Sequence, residues 1–91
     1  MNTATLPEAT LAALRAHRCH EVRTTDGLDG VLRVVTLLRG RGYRVRNLSV
    51  DVREGAGLST VRCTVSLTDE EASLLVSRLA RLPSVVGVDA L

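Results

Sequence analysis

Along the segment Arg41-Gly42-Tyr43-Arg44-Val45-Arg46-Asn47-Leu48-Ser49-Val50, the apolar positions change phase. Val45 is apolar at an odd position, whereas Leu48, Val50 and Val52 are apolar at even ones. One residue near Asn47 therefore interrupts the two-residue alternation, which predicts a strand from Tyr43 to Val52 or Arg53 carrying a β-bulge. The surrounding pattern supplies the other elements. His20, Val22 and Thr24 share a face of a first strand over about His20 to Thr25. The turn Asp26-Gly27-Leu28-Asp29-Gly30 is rich in residues that tolerate positive φ or cap helices. A first helix follows to about Arg41, with Val31, Val34, Val35 and Leu38 at helical spacing, and Gly40 or Gly42 ends it.

After a hairpin turn at Glu54-Gly55-Ala56-Gly57, a third strand spans Leu58 to Leu67. Val61, Cys63, Val65 and Leu67 point one way, and Arg62, Thr64 and Ser66 the other. Thr68, followed by Asp69, Glu70 and Glu71, marks a helix start with a capping hydroxyl and carboxylates at the positive end of the dipole. Ala72, Leu75, Leu79 and Leu82 line the buried face of that second helix, and Pro83 stops it. A fourth strand over about Val85 to Leu91 completes a βαββαβ order. This is the α+β, ferredoxin-like sandwich, a four-stranded antiparallel sheet with two helices on one face. Right-handed crossovers leave the second and fourth strands at the edges. The second is the longer edge, and pairing with a second chain would satisfy its free backbone groups.

Composition narrows the rest. Ninety-one residues hold one small core, and with 45% hydrophobic content and Tyr43 as the one aromatic, that core is aliphatic. All 12 basic residues are Arg and the net charge is +2, too little to imply nucleic acid. Arg39, Arg41, Arg44 and Arg46 crowd the helix–strand junction, either as a solvated rim or as a contact for an anion or acidic partner. Cys19 and Cys63 lie in different elements without a Cys-x-x-Cys, so no disulfide is expected. With no signal peptide and no apolar run long enough for a bilayer, a cytoplasmic location is expected and no membrane association. Residues 1–18 stand apart as a leader, either a short helix through His17 or a disordered segment, and residues 19–91 form the domain.

The bulged segment resembles the R-G-Y-N-I-E-S-L-T-V of the ACT domain in acetohydroxyacid synthase (acetolactate synthase) regulatory small subunits. The resemblance runs ungapped from about Val22 to Leu91 and takes in Gly57-Leu58-Ser59 and Leu79-Ala80-Arg81-Leu82. It implies a non-catalytic homodimer of the single-ACT type that binds and activates a thiamine-diphosphate-dependent catalytic subunit in branched-chain amino-acid biosynthesis. It also implies an amino-acid effector site at the first strand–helix turn, where helix N–H groups hold a carboxylate. The effector candidates are Asp26, Asp29, Gly30, Val31, Arg44 and Val45. The dimer-interface candidates are Arg44, Arg46, Leu48 and Val50.

Three positions depart from the family pattern. Asp26 stands for the ligand-contacting Asn, Asp29 for the close-approach Gly, and Arg44 for the Asn of G-Y-N-I. Arg44 would either pair with the ligand carboxylate or fill the pocket by pairing with Asp26 or Asp29 across the interface. Charge balance at the helix start favours the filled pocket, so valine feedback is expected to be weak or absent. The alternative function is a stand-alone ACT module that senses a small amino acid for another enzyme. An RNA-binding sheet of this topology would need aromatic side chains where Arg62, Thr64 and Ser66 stand. A metal chaperone would need Cys-x-x-Cys in the first turn. His17, Cys19 and His20 are the one cluster of ligand atoms and lack a second pair, so neither a metal nor any other cofactor is expected. No nucleophile, base and orienting acid occur at a recognisable spacing, so an enzyme is not expected.

Overall fold

Residues 14–91 are described by the computed structural model. They form β1 (Ala16–Thr24), α1 (Gly27–Gly40), β2 (Val45–Asp51), β3 (Ser59–Leu67), α2 (Asp69–Ala80) and β4 (Val85–Ala90). The sheet order is β2-β3-β1-β4, every neighbouring pair is antiparallel, and β2 and β4 are the edges, as the crossover rule requires. The leader expectation for residues 1–13 lies outside the described residues. β1, however, begins at Ala16 and not at His20, inside the stretch assigned to the leader. Ala16, His17 and Arg18 face Leu67, Ser66 and Val65 across the ladder. Arg18 also donates through Nε to the carbonyl of Leu67 at 3.1 Å. Backbone pairing extends the strand where polar side chains give no alternation to read.

The phase change in β2 has the predicted cause. Val45 lies opposite Val65 and Asn47 opposite Thr64, which leaves Arg46 as the extra residue. Beyond the bulge, Leu48 faces Cys63 and Val50 faces Val61, so the apolar side of β2 continues the inner face of β3. The strand is shorter than the pattern suggests because Tyr43 belongs to the exit of α1. There the amides of Gly42 and Tyr43 donate to the carbonyls of Arg39 and Leu38, with Gly42 at φ 68°. This is a Schellman ending, and it needs the left-handed residue.

The buried core is Val22, Val31, Val34, Leu38, Val61, Cys63, Val65, Leu67, Leu75 and Leu79, all aliphatic apart from the one thiol. Ala72 and Leu82 pack against it from the margin. The helices lie over β1, β3 and β4. β2 projects past them, so Leu48 and Val50 remain 48% and 41% exposed although they share the core's side of the sheet. Burial pushes the Cys63 thiol up to about 11, so it acts as a small core residue. His20, opposite Cys63, is buried, its Nδ1 has no partner among the described residues, and desolvation lowers its pKa below the ordinary 6.5.

On the outer face, Glu21 accepts from Arg62 at 2.6 Å and Arg23 binds Asp89 at 2.6 Å. Charges of opposite sign occupy the positions where base-stacking rings would have to be. Among the described residues, no helix is long and apolar enough to cross a membrane.

Candidate functional site

The first helix starts from an abrupt change of direction after β1. Asp26 at φ 67° and Gly27 at φ 53° are both left-handed. The turn brings Gly30 so close to the carbonyl of Thr25 that no Cβ fits there. The amides of Asp29 and Gly30 return to the carbonyl of Asp26 at 3.1 and 3.4 Å. The Asp26 side chain does not cap the helix. Instead it accepts from the hydroxyl of Ser84 at 2.7 Å and from Arg33 at 3.3 Å, while Arg33 also contacts the Ser84 oxygen. The Ser84 hydrogen bond, then Arg33, holds the Asp26 carboxyl below its usual range. Ser84 is itself fixed, since its carbonyl accepts the amide of Thr25 at 2.8 Å.

At the helix start, the amide of Leu28 donates to Oε1 of Glu54 at 3.3 Å. Glu54 reaches it from the hairpin between β2 and β3, where Gly55 takes φ 79°. Its carboxylate lies directly over Gly27, in space a Cβ would need. Beneath the same turn, Thr24 is fully buried, and its Oγ1 has no partner among the described residues and would lie 3.1 Å from a Cβ at Gly30. Asp26, Asp29 and Glu54 thus crowd one helix start, with Arg33 as the neighbouring cation.

Of the six effector candidates, one chain brings together Asp26, Asp29 and Gly30, with Val31 one residue further on. Val31 is buried in the core and presents no surface to a ligand. Arg44 and Val45 lie at the opposite end of the sheet, beside Ser66 and Val65. There Arg44 edges a basic cleft with Arg15, Arg41, Tyr43, Glu71 and Arg78. Glu71 pairs with Arg15 at 2.9 Å, and Arg78 donates to the Tyr43 phenol oxygen at 2.8 Å. The interface candidates Arg44, Arg46, Leu48 and Val50 are all exposed along the β2 edge. Val45 and Leu48 open a shallow apolar groove with Val35, Leu38 and Tyr43.

The His17, Cys19 and His20 cluster is divided by strand alternation, which turns His20 inward and the other two to the outer face. Among the described residues, no three potential ligands gather at one point. Glu54, Arg33, Ser84 and Thr24 were not legible as site residues. Each lies 7 or more positions from its partner or, like Thr24, reads as ordinary strand.

Comparison with known proteins bears on this geometry. A profile of the ACT domain matches residues 26–88. The chloroplastic acetolactate synthase small subunit 1 of Nicotiana plumbaginifolia is 35% identical over 75 residues, which cover 81% of this chain and 16% of that protein. The chain therefore spans about 16% of the length of the curated relative it matches. Among solved structures, the ACT domain of a Chlorobium tepidum GTP pyrophosphokinase superimposes with a TM-score of 0.75 at 12% identity, over 85% of this chain and 99% of that one. A Thiobacillus denitrificans homoserine dehydrogenase does so with 0.67 at 15% identity, over 100% of this chain and 20% of that one. At such identities these two likenesses speak for the fold alone.

Proposed function

The chain belongs to the ACT-domain family, and we propose that it is a non-catalytic regulatory subunit that binds and activates a thiamine-diphosphate-dependent acetolactate synthase, with weak or absent response to valine. The observation that carries this reading is the 35% identity to a protein named as an acetolactate synthase small subunit, over 81% of the chain. Regulation of this kind needs no reacting group. It needs a surface with a higher affinity for the active conformation of the partner than for the inactive one.

In the same reading the chain is a homodimer joined along β2. Three features support it. Among the described residues, the outer edge of β2 pairs with no strand, its inner face presents half-exposed Val45, Leu48, Val50 and Val52, and the helices pack mainly over β1, β3 and β4. Its two ends also differ in charge. Arg39, Arg41, Arg44 and Arg46 surround the start of the strand, whereas Asp51 and Glu54 lie at its finish near Asp26 and Asp29. With Arg46 as the extra residue, a two-fold axis through Leu48, the middle of β2, lays Arg44 of one copy beside Asp51 of the other. Glu54 lies three residues beyond, about 10 Å at ~3.3 Å per residue. Each basic end then meets an acidic one, and the effector candidates at opposite ends of one chain become neighbours across two.

The test is to mix the purified chain with a catalytic large subunit and to follow acetolactate formation together with sedimentation. A complex and a raised rate are expected, and Leu48→Asp should convert the dimer to monomer and abolish both. Absence of a complex and of any rate change would overturn the reading. Valine added to the same assay is expected to leave the rate unchanged.

A further inference from the structure

A helix start with free amides attracts a carboxylate from whatever source lies nearest. In this chain the source is internal, and we propose that Glu54 is a built-in plug that occupies the N-terminus of α1 in place of a ligand's carboxylate. Two observations put the Glu54 carboxylate on the helix start, and a third lies beneath the same turn. The Leu28 amide donates to the Glu54 carboxylate at 3.3 Å. Gly27 has no side chain, and the Glu54 carboxylate fills the space that results. Thr24, fully buried under the turn beside Gly30, has a hydroxyl without a partner among the described residues, so the turn itself leaves a polar group unsatisfied.

The plug belongs to a hairpin and not to the helix. Glu54 is exposed, and the backbone around it is held mainly where the Arg53 amide donates to the hydroxyl of Ser59 at 2.8 Å. Its hold on α1 is one charged hydrogen bond at a surface, which a side-chain rotation breaks. Once it is gone, the site offers an amide and dipole to a carboxylate, with Asp26 and Asp29 beside it to accept an ammonium group. The fitting ligand class is a small zwitterionic amino acid, and a simple carboxylate fits less well because both aspartates repel it. This deepens the reading of a weakly responsive regulatory module, whose unresponsiveness it assigns to one residue.

The experiment is a titration of the full-length chain with valine, and in parallel with acetate, monitored by the backbone amide resonances of Gly27 and Leu28. The native chain should show no saturating change. Glu54→Ala should show one with valine, at least about tenfold tighter than any native response, the ratio expected when one charge-assisted competitor is removed. Acetate should bind Glu54→Ala more weakly than valine. Glu54→Gln keeps the shape of the side chain without its charge and should fall between native and Glu54→Ala, which also controls for a misfolded hairpin. Equal valine binding by native and variants would overturn the plug, as would no binding by any of them. Synthase activation is a separate readout, because its loss strikes the regulatory reading while the amide titration alone judges Glu54.

Discussion

The two helices of this sandwich both begin with a carboxylate on their N-terminal amides, yet they obtain it in opposite ways. α2 is capped from within four consecutive residues. Thr68 accepts the amide of Glu71 at 3.2 Å, and Glu71 returns to accept the amide of Thr68 at 2.9 Å. That reciprocal box closes as soon as the helix forms. α1 has a left-handed Asp26 that caps nothing, and its carboxylate arrives from Glu54, 26 residues away, only after the sheet has assembled. The local cap is a device of stability. In the proposed plug, the distant one is dispensable to the helix and exchangeable for a ligand's carboxylate.

Perturbations that separate the two starts sharpen this contrast. The largest effect is expected from Gly30→Ala, which drives a Cβ into the carbonyl of Thr25 and must move the whole turn. A loss of about 3 kcal/mol, at the upper end for overpacking, should be seen in urea unfolding. A stability change below about 0.5 kcal/mol would mean that the turn relaxes freely. Thr68→Ala comes next. It should cost about 1 kcal/mol by removing one arm of the capping box, measured the same way, with no effect on the amide resonances of Gly27 and Leu28.

Acid should act on both starts. The Thr68 backbone amide, then Arg15, lowers the pKa of Glu71, and the Ser84 hydroxyl lowers that of Asp26. An unfolded chain binds these protons at higher pH than the folded one does. The stabilisation is therefore present above the ordinary values of 4.5 and 3.8 and is lost as pH falls through the lower folded values. Thermal unfolding between neutral and acid pH should show this decline, and Glu71→Gln should flatten it. The smallest change is expected from Glu54→Ala, within about 0.5 kcal/mol in stability, as for an exposed surface group. A larger loss would make Glu54 a structural cap like Thr68 and erase the distinction between the two helices.

Strand β2 teaches the same lesson on a larger scale. The bulge was legible, because the parity switch between Val45 and Leu48 can be read directly off side-chain periodicity. So were the edge position of β2, the cap at Thr68, an exit at Gly40 or Gly42 and the aliphatic core, since each rests on residues within a few positions of one another or on the handedness of crossovers. The early start of β1 was not, because Ala16 to Arg18 are held by β3 and carry no pattern of their own.

The sequence alone determined the order of elements, the two faces of the sheet and the family, because periodicity, caps and turns act locally and leave their spacing in the chain. The tertiary structure alone decided what sits on the first helix. Glu54, Arg33, Ser84 and Thr24 meet there only because the sheet order carries β1, the β2–β3 hairpin and the entry to β4 to one end of the molecule. A hydrogen bond at 3.3 Å depends on that three-dimensional return of the chain, and no spacing along the chain encodes it.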